Sequence, residues 1–79
     1  SAQPTRDELG RLSALYAAAD HAALEAEARR LLARYPEVAF LWQVLGVALL
    51  GQGRDGIAAL ERAVALQPGD AQAHGNLGN

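Results

Sequence analysis

The chain has no cysteine and no methionine, and it has few of the residues that favour β-strands. Without cysteine it can form neither a disulfide framework nor a thiolate metal site. The β-branched residues are only four Val, one Ile and one Thr among 79 residues, which is too few for a sheet. A length of 79 residues allows one small domain, and these absences make a helical one the expectation.

Lysine, a positive net charge and long apolar runs are also missing. The formal net charge is −2, the wrong sign for a protein that follows a phosphate backbone. No apolar run reaches the roughly 18 residues of a membrane span, and no basic-then-apolar leader opens the chain. We therefore expect no nucleic acid and no membrane as partners, and a cytoplasmic location.

Alanine and leucine make up 31 of the 79 residues, and both residue types favour helix. Turn signals divide the chain into predicted helices at about 6–18, 21–34, 37–51 and 56–67, with a fifth from 71 cut off by the chain end at 79. The loops between them are short, so consecutive helices should be antiparallel neighbours.

Capping residues support these boundaries. Thr5 and Glu8 have the spacing of a capping box, and Asp20 is a good N-cap for the second helix. Pro36 ends that helix because the residue before a proline is driven out of helical geometry. Asp55 is placed to cap the fourth helix.

Apolar residues recur at helical spacing in every predicted segment, and those of the second helix should form its buried face. The four sets are Leu9, Leu12, Leu15 and Tyr16; Leu24, Ala28, Leu31 and Leu32; Phe40, Leu41, Val44, Leu45, Leu49 and Leu50; and Ile57, Leu60, Val64 and Leu66. On the solvent-exposed face of the second helix, Glu25 and Arg29 are four residues apart and should form an ion pair.

An internal similarity links the middle of the chain to its end, at an offset of 32 residues. The matched positions are Pro36 and Pro68, Ala39 and Ala71, and Leu45-Gly46 and Leu77-Gly78. Inside one unit the pattern is Trp42-x-x-Leu45-Gly46-x-x-Leu49, then Gly56-x-x-x-Leu60-x-x-Ala63, then Pro68.

This pattern resembles the tetratricopeptide repeat, although the offset is shorter than the usual period of about 34. The resemblance implies an all-α superhelix of helical hairpins. It would comprise a degenerate repeat at about 5–38, a full repeat at 39–70 and the start of a third at 71–79. Gly46 should meet Gly56 or Ala59 where the paired helices approach closely. The sequence of this unit is also similar to that of bacterial repeat arrays found with glycosyltransferase or sulfotransferase-type domains.

The residues that could carry chemistry have simpler explanations. His21 and His74 lack partners at ligand-like spacing, and the carboxylates Glu25 and Glu27 diverge on a helix. The glycines at 51, 53 and 56 match a dinucleotide fingerprint, but no strand precedes them. We therefore predict no catalysis, no cofactor and no metal. Trp42 has a binding and a core interpretation, and its place in the motif favours the core.

The resemblance implies a concave surface formed mainly by the first helix of each pair. The residues on it are Phe40, Gln43, Val47, Leu50, Gln72, Asn76 and Asn79. Relatives of the glycosyltransferase hold peptide backbone with a row of Asn; Asn76 falls on that row, whereas the preceding unit has Val44 there.

Two functions remain open at this point. One is a protein-interaction module that binds a peptide or partner helix on this concave surface. The other is a structural or self-associating segment of a larger bacterial enzyme such as a glycosyltransferase, with a homo-oligomer formed through the open C-terminal end. A DNA-binding helix-turn-helix would need a basic recognition face, which the chain lacks.

Overall fold

The computed structural model describes residues 3–66, which form four packed α-helices joined by short turns. These are α1 (Arg6–Ala17), α2 (His21–Arg34), α3 (Ala39–Gly51) and α4 (Ile57–Ala65). The all-α prediction is confirmed for these residues, and the bounds of α2 are those predicted. The predicted fifth helix at 71–79 and the end of the 39–70 unit lie outside the described residues.

The first two helices begin at the residues that the sequence indicates. The Thr5 hydroxyl accepts the Glu8 backbone N–H at 3.1 Å, while the Glu8 carboxylate accepts the Thr5 backbone N–H at 2.8 Å. The Asp20 side chain accepts the Ala23 backbone N–H at 3.2 Å. Both predicted caps are confirmed, and each satisfies a helix-end amide that has no partner inside the helix.

Helix α3 begins two residues later than predicted. The segment after Tyr35 forms a turn, in which the Val38 backbone N–H donates to the Tyr35 carbonyl at 3.3 Å. Val38 is the N-cap, and no side chain caps this helix. The proline therefore ends α2 as predicted, but the chain needs an extra turn to reverse before α3 can start.

Helix α4 is shorter than the predicted 56–67. Gly56 is its N-cap, and Asp55, one residue further out, accepts the Ile57 backbone N–H at 2.9 Å. At the other end Leu66 is the C-cap, since its N–H still donates to the Arg62 carbonyl. Asp55 thus supports the helix start as predicted, although it is not the N-cap itself.

The core lies along α2 and α3, because α2 packs on both α1 and α3, and α3 packs on α4. All four residues of the predicted buried face of α2 are buried, which confirms that face. The buried apolar side chains are Leu12, Leu24, Ala28, Leu31, Leu32, Tyr35, Leu41, Leu45, Ala48, Leu49, Ala59 and Ala63.

Helices α3 and α4 approach each other through two glycines. A Cβ atom added to Gly46 would lie 2.6 Å from Cδ2 of Leu60, and one added to Gly56 would overlap the carbonyl oxygen of Gly46. The predicted close contact of Gly46 with Gly56 is therefore confirmed. Gly10 of α1 makes no such contact, since a Cβ atom added to it would meet no atom of another element within 4 Å.

Helices α1 and α3 end in the same hydrogen-bonded turn. After α1, the Ala19 N–H donates to Tyr16 O at 3.0 Å and the Asp20 N–H to Leu15 O at 3.1 Å; after α3, Gly53 and Arg54 repeat the pattern. This is a Schellman motif, whose central residue needs a left-handed backbone. That residue is Ala19 in the first turn (φ 57°) and Gly53 in the second (φ 74°).

Candidate functional site

An apolar groove lies between α1 and α3. Its volume is about 690 Å³, within the range of about 300–1,000 Å³ that is usual for ligand pockets. We call it the α1–α3 groove. Its lining residues are Gln3, Pro4, Leu9, Leu12, Ser13, Tyr16, Leu24, Val38, Phe40, Gln43, Val44 and Val47.

The groove follows from the order in which the helices pack. Both α1 and α3 pack on α2, but they make no close backbone contact with each other. Leu12 and Leu24 are almost fully buried, at 2% and 0% exposure, and so form its floor. Its walls are formed by residues of α1 and α3 that the core leaves partly or largely exposed, among them Tyr16 and Phe40.

The walls of the groove combine exposed aromatic rings with very few polar groups. Tyr16 on α1 is 63% exposed and Phe40 on α3 is 49% exposed. Among the lining residues within 3–66, the only other side chains with hydrogen-bonding groups are Gln3, Ser13 and Gln43, and none of these lining residues is charged. Exposed large apolar side chains that share one concave surface are typical of binding sites, whereas single ones are common on any protein.

The residues predicted to face a partner are only partly brought together. Phe40, Gln43 and Val47 line the groove side by side along α3. Leu50 is 47% exposed but is not part of the lining, and its Cγ lies 3.1 Å from where a Cβ on Gly56 would stand. Leu50 thus lies next to the start of α4. Gln72, Asn76 and Asn79 lie outside the described residues.

The α1 wall was missed by the sequence reasoning, which placed Leu9 and Tyr16 on a helical stripe without assigning them to a binding surface. Leu9 is 38% exposed and Tyr16 is 63% exposed, while Leu12 between them is buried. No helix covers the outer side of α1 in residues 3–66, so its stripe is buried only where it meets α2. The spacing of Leu9 and Tyr16, seven residues apart, was the available signal that they share one edge of the stripe.

Trp42 lies outside the groove and serves the core. Its indole Nε1 donates to the Pro36 carbonyl at 2.9 Å, and the ring packs partly buried against the core. The Arg62 guanidinium lies 5.7 Å from the ring centroid, within the range of a cation–π contact. The core interpretation of Trp42 is confirmed, and the ring ties the turn before α3 to α4.

Glu25 joins α2 to the turn after α3. Its carboxylate accepts from Arg29 Nε at 2.8 Å, from Gln52 Nε2 at 2.9 Å and from Arg54 Nη1 at 2.8 Å. The hydrogen bond from Gln52, followed by that from Arg29, lowers the pKa of Glu25. The predicted pair with Arg29 is confirmed. Two of the three partners come from beyond α2.

Glu8 and Glu27 are likewise held as carboxylates. The Thr5 backbone N–H is the main cause of a lowered Glu8 pKa; the Tyr35 hydroxyl, 3.0 Å away, and Arg34 lower it further. A hydrogen bond from Arg30 lowers the pKa of Glu27. A general acid at neutral pH needs a raised pKa, so these three glutamates act as anchors for arginines and helix ends.

A second apolar surface lies on α4, where the exposed Ile57 and Val64, together with the half-buried Leu60 that packs against Gly46 of α3, form what we call the α4 stripe. Together with Glu61 and Ala65 these residues line a shallow depression of about 390 Å³. Ile57 is 52% exposed and Val64 is 68% exposed, because α4 turns Ala59 and Ala63 toward α3 instead. The stripe and the α1–α3 groove share no residue.

No group of three His, Asp or Glu side chains within residues 3–66 is placed to hold a metal ion. His21 packs on Gly51, where an added Cβ would come within 2.6 Å of Cγ of the imidazole. His74 lies outside the described residues. Among the helices that the structure describes, none combines the length and the apolar character needed to cross a membrane.

No protein-family model, no curated protein and no solved structure matches this chain. The features of the molecule that bear on its function are therefore its two apolar surfaces.

Proposed function

We propose that the chain is a protein-interaction module that binds a peptide or a partner helix in the α1–α3 groove and has no catalysis of its own. The observation that supports it is the groove: Tyr16 and Phe40 stand open on opposite walls above a buried leucine floor. Binding would remove from water apolar surface that folding leaves exposed, at about 25 cal/mol per Å².

The proposal includes a tetratricopeptide-type arrangement of the helices. Two features support it: the close contact of Gly46 with Gly56 inside the α3–α4 pair, and the position of α1 and α3 on either side of one groove. A cytoplasmic location belongs to the same proposal and agrees with the absence of cysteine.

Selection from a displayed library of random peptides, followed by titration into the ¹⁵N-labelled chain, tests the proposal. We expect selected peptides to shift the backbone amides of α1 and α3 around Ser13 and Gln43. Phe40→Glu should abolish the shifts, since it places a charge in an uncharged wall. Ala33→Glu, at an exposed α2 position outside the groove, is the matched control and should bind normally.

Two results would contradict the proposal. One is a selection that enriches no peptide over the Phe40→Glu chain. The other is a set of amide shifts confined to α2 and α4, since those helices contribute only Leu24 to the lining.

A second candidate function, a structural segment of a larger enzyme, is favoured by the α4 stripe. Ile57 and Val64 give α4 an apolar face that a neighbouring part of a longer protein could cover. The full reading frame of the gene tests this candidate, because a catalytic domain or further helical pairs after Asn79 would support it. A reading frame that ends at Asn79 would remove it.

A further inference from the structure

Asp55 and Gly56, in the turn between α3 and α4, are the one Asp-Gly pair in the sequence. In such a pair the backbone nitrogen of the glycine can attack the side-chain carboxyl of the aspartate, because glycine has no Cβ to obstruct the approach. The product is a succinimide ring. Ring closure in the folded protein depends on how firmly the structure holds the peptide group between the two residues.

The structure leaves this peptide group without hydrogen bonds. Within residues 3–66, neither the Asp55 carbonyl oxygen nor the Gly56 N–H has a hydrogen-bond partner. Gly56 is the N-cap of α4, and the first backbone bond of that helix is the one from the Leu60 N–H to the Gly56 carbonyl, at 3.1 Å. Rotation of the Asp55–Gly56 peptide plane therefore breaks no hydrogen bond of the helix.

The Asp55 carboxyl is already folded toward this peptide group. Its Oδ1 accepts the Ile57 N–H at 2.9 Å, a hydrogen bond that spans residue 56. The carboxyl carbon is therefore held beside the segment that contains the Gly56 nitrogen. The Asp55 residue is exposed, so the oxygen that must leave as water has access to solvent.

Asp20 provides a matched comparison, since its side chain also accepts a backbone N–H at the start of a helix. Its peptide group is held more firmly, because the Asp20 carbonyl accepts the Leu24 N–H at 2.9 Å. The residue that follows is His21, whose side chain packs on Gly51. Ring closure at Asp20 would have to disturb both contacts.

We propose that Asp55 is a modification site at which the folded protein forms isoaspartate. The Gly56 nitrogen bonds to Cγ of Asp55 and gives up its proton, while one carboxyl oxygen takes that proton and a second from solvent and leaves as water. Water then adds to either carbonyl carbon of the ring. Addition at the side-chain carbon restores aspartate, whereas addition at the backbone carbon leaves the chain running through Cβ and frees an α-carboxyl group.

Isoaspartate adds one atom to the backbone beside the closest contact of α3 with α4. A Cβ on Gly56 would already overlap the Gly46 carbonyl, so the longer backbone should move α4 away from α3. It also takes the Asp55 carboxyl away from the Ile57 N–H. The modified chain should therefore unfold at a lower urea concentration. This inference is independent of the proposed function, because Asp55 does not line the α1–α3 groove.

The test is incubation of the complete 79-residue chain in its folded state at neutral pH. Isoaspartate is measured by methyl transfer from S-adenosylmethionine with an isoaspartyl carboxyl methyltransferase, which esterifies the freed α-carboxyl group. Methyl acceptance should increase with the time of incubation, and proteolysis should locate it in the Asp55 peptide and not in the Asp20 peptide. Asp55→Glu is the matched control: it keeps an exposed carboxylate, but its longer side chain would have to close a larger ring, so the signal should be lost.

Four results would overturn the inference. The first is a folded chain that accepts no methyl groups, whether or not a parallel sample unfolded in urea accepts them. The second is equal methylation of the Asp20 peptide, and the third is methylation that survives Asp55→Glu. The fourth is a purified isoaspartyl chain that unfolds at the same urea concentration as the unmodified one.

Discussion

Replacing Gly56 by Ala should destabilise the protein by about 2–4 kcal/mol, although it adds a single methyl group. The added Cβ would overlap the carbonyl oxygen of Gly46 and stand 3.1 Å from Cγ of Leu50. A carbonyl oxygen belongs to the backbone of α3, so relieving the overlap requires α3 and α4 to separate. Overpacking of this kind costs about 1–3 kcal/mol, and Ala is also a poorer N-cap than Gly.

The same substitution at Gly46 should cost less, about 0–2 kcal/mol. Its Cβ would meet the Leu60 side chain at 2.6 and 2.7 Å, and a side chain adjusts more readily than backbone. Gly46 also lies inside α3, where Ala is the better helix former by about 1 kcal/mol and offsets part of the overlap. Gly10→Ala is the control: it lies inside α1 with nothing within 4 Å, so it should stabilise by about 1 kcal/mol.

Urea unfolding, followed by Trp42 fluorescence and far-UV circular dichroism, measures the three variants. A chain of this length has a total stability of about 4–12 kcal/mol, so the loss for Gly56→Ala would be large. The midpoint should fall while the slope with urea stays constant. If Gly56→Ala and Gly46→Ala both stabilise the protein as Gly10→Ala does, the close contact between α3 and α4 does not exist.

Three further predictions concern the ends and anchors of the helices and use the same unfolding measurement. Ala19→Gly should stabilise the protein by about 0.5–1 kcal/mol, because Ala19 has a left-handed backbone. Gly53→Ala, at the matching turn after α3, should destabilise it by about 1 kcal/mol. If the two substitutions change the free energy of unfolding in the same direction, this account is contradicted. Thr5→Ala should cost about 1 kcal/mol by removing the cap on α1, and Thr5→Ser should restore most of it. The pKa values of Glu8 and Glu25 are lowered from 4.5. Both glutamates therefore bind fewer protons in the folded state than in the unfolded state near that pH. The free energy of unfolding should fall as the pH drops below about 4.5. Glu25→Gln should flatten that fall, and an unchanged profile would count against the Glu25 ion pairs.

Much of the helical layout could be predicted because it depends on local chemistry. The Thr5 capping box and the Asp20 cap each involve residues three positions apart in the sequence. The contact of Gly46 with Gly56 was also predictable, since glycine at both positions of a helical pair has a packing reason. The start of α3 was predicted two residues early because the turn after Pro36 is closed by a backbone hydrogen bond from Val38 to Tyr35, and no capping side chain marks where α3 begins.

The candidate site was less predictable because burial depends on which helices are neighbours. Leu9, Leu12 and Tyr16 form one stripe by spacing, yet only Leu12 is buried, since α2 is the one helix within residues 3–66 that packs on α1. Likewise Val64 is exposed while Ala63 is buried. Hydrophobicity alone would predict that Val64 is the more buried of the two, but the smaller side chain of Ala63 lets α4 approach α3 closely. No periodicity in the sequence distinguishes a face covered by the core from one left open.

The open aromatic residues bear on function because folding gains little from them. Burying a Phe side chain completely contributes about 1.5–3 kcal/mol, yet Phe40 is half exposed and Tyr16 is more exposed still. A small domain has few core residues, so stability alone would favour polar residues at such open positions, which would also discourage aggregation. Both rings instead stand over the same floor of Leu12 and Leu24. The proposed binding of an apolar partner in the groove would bury both rings a second time.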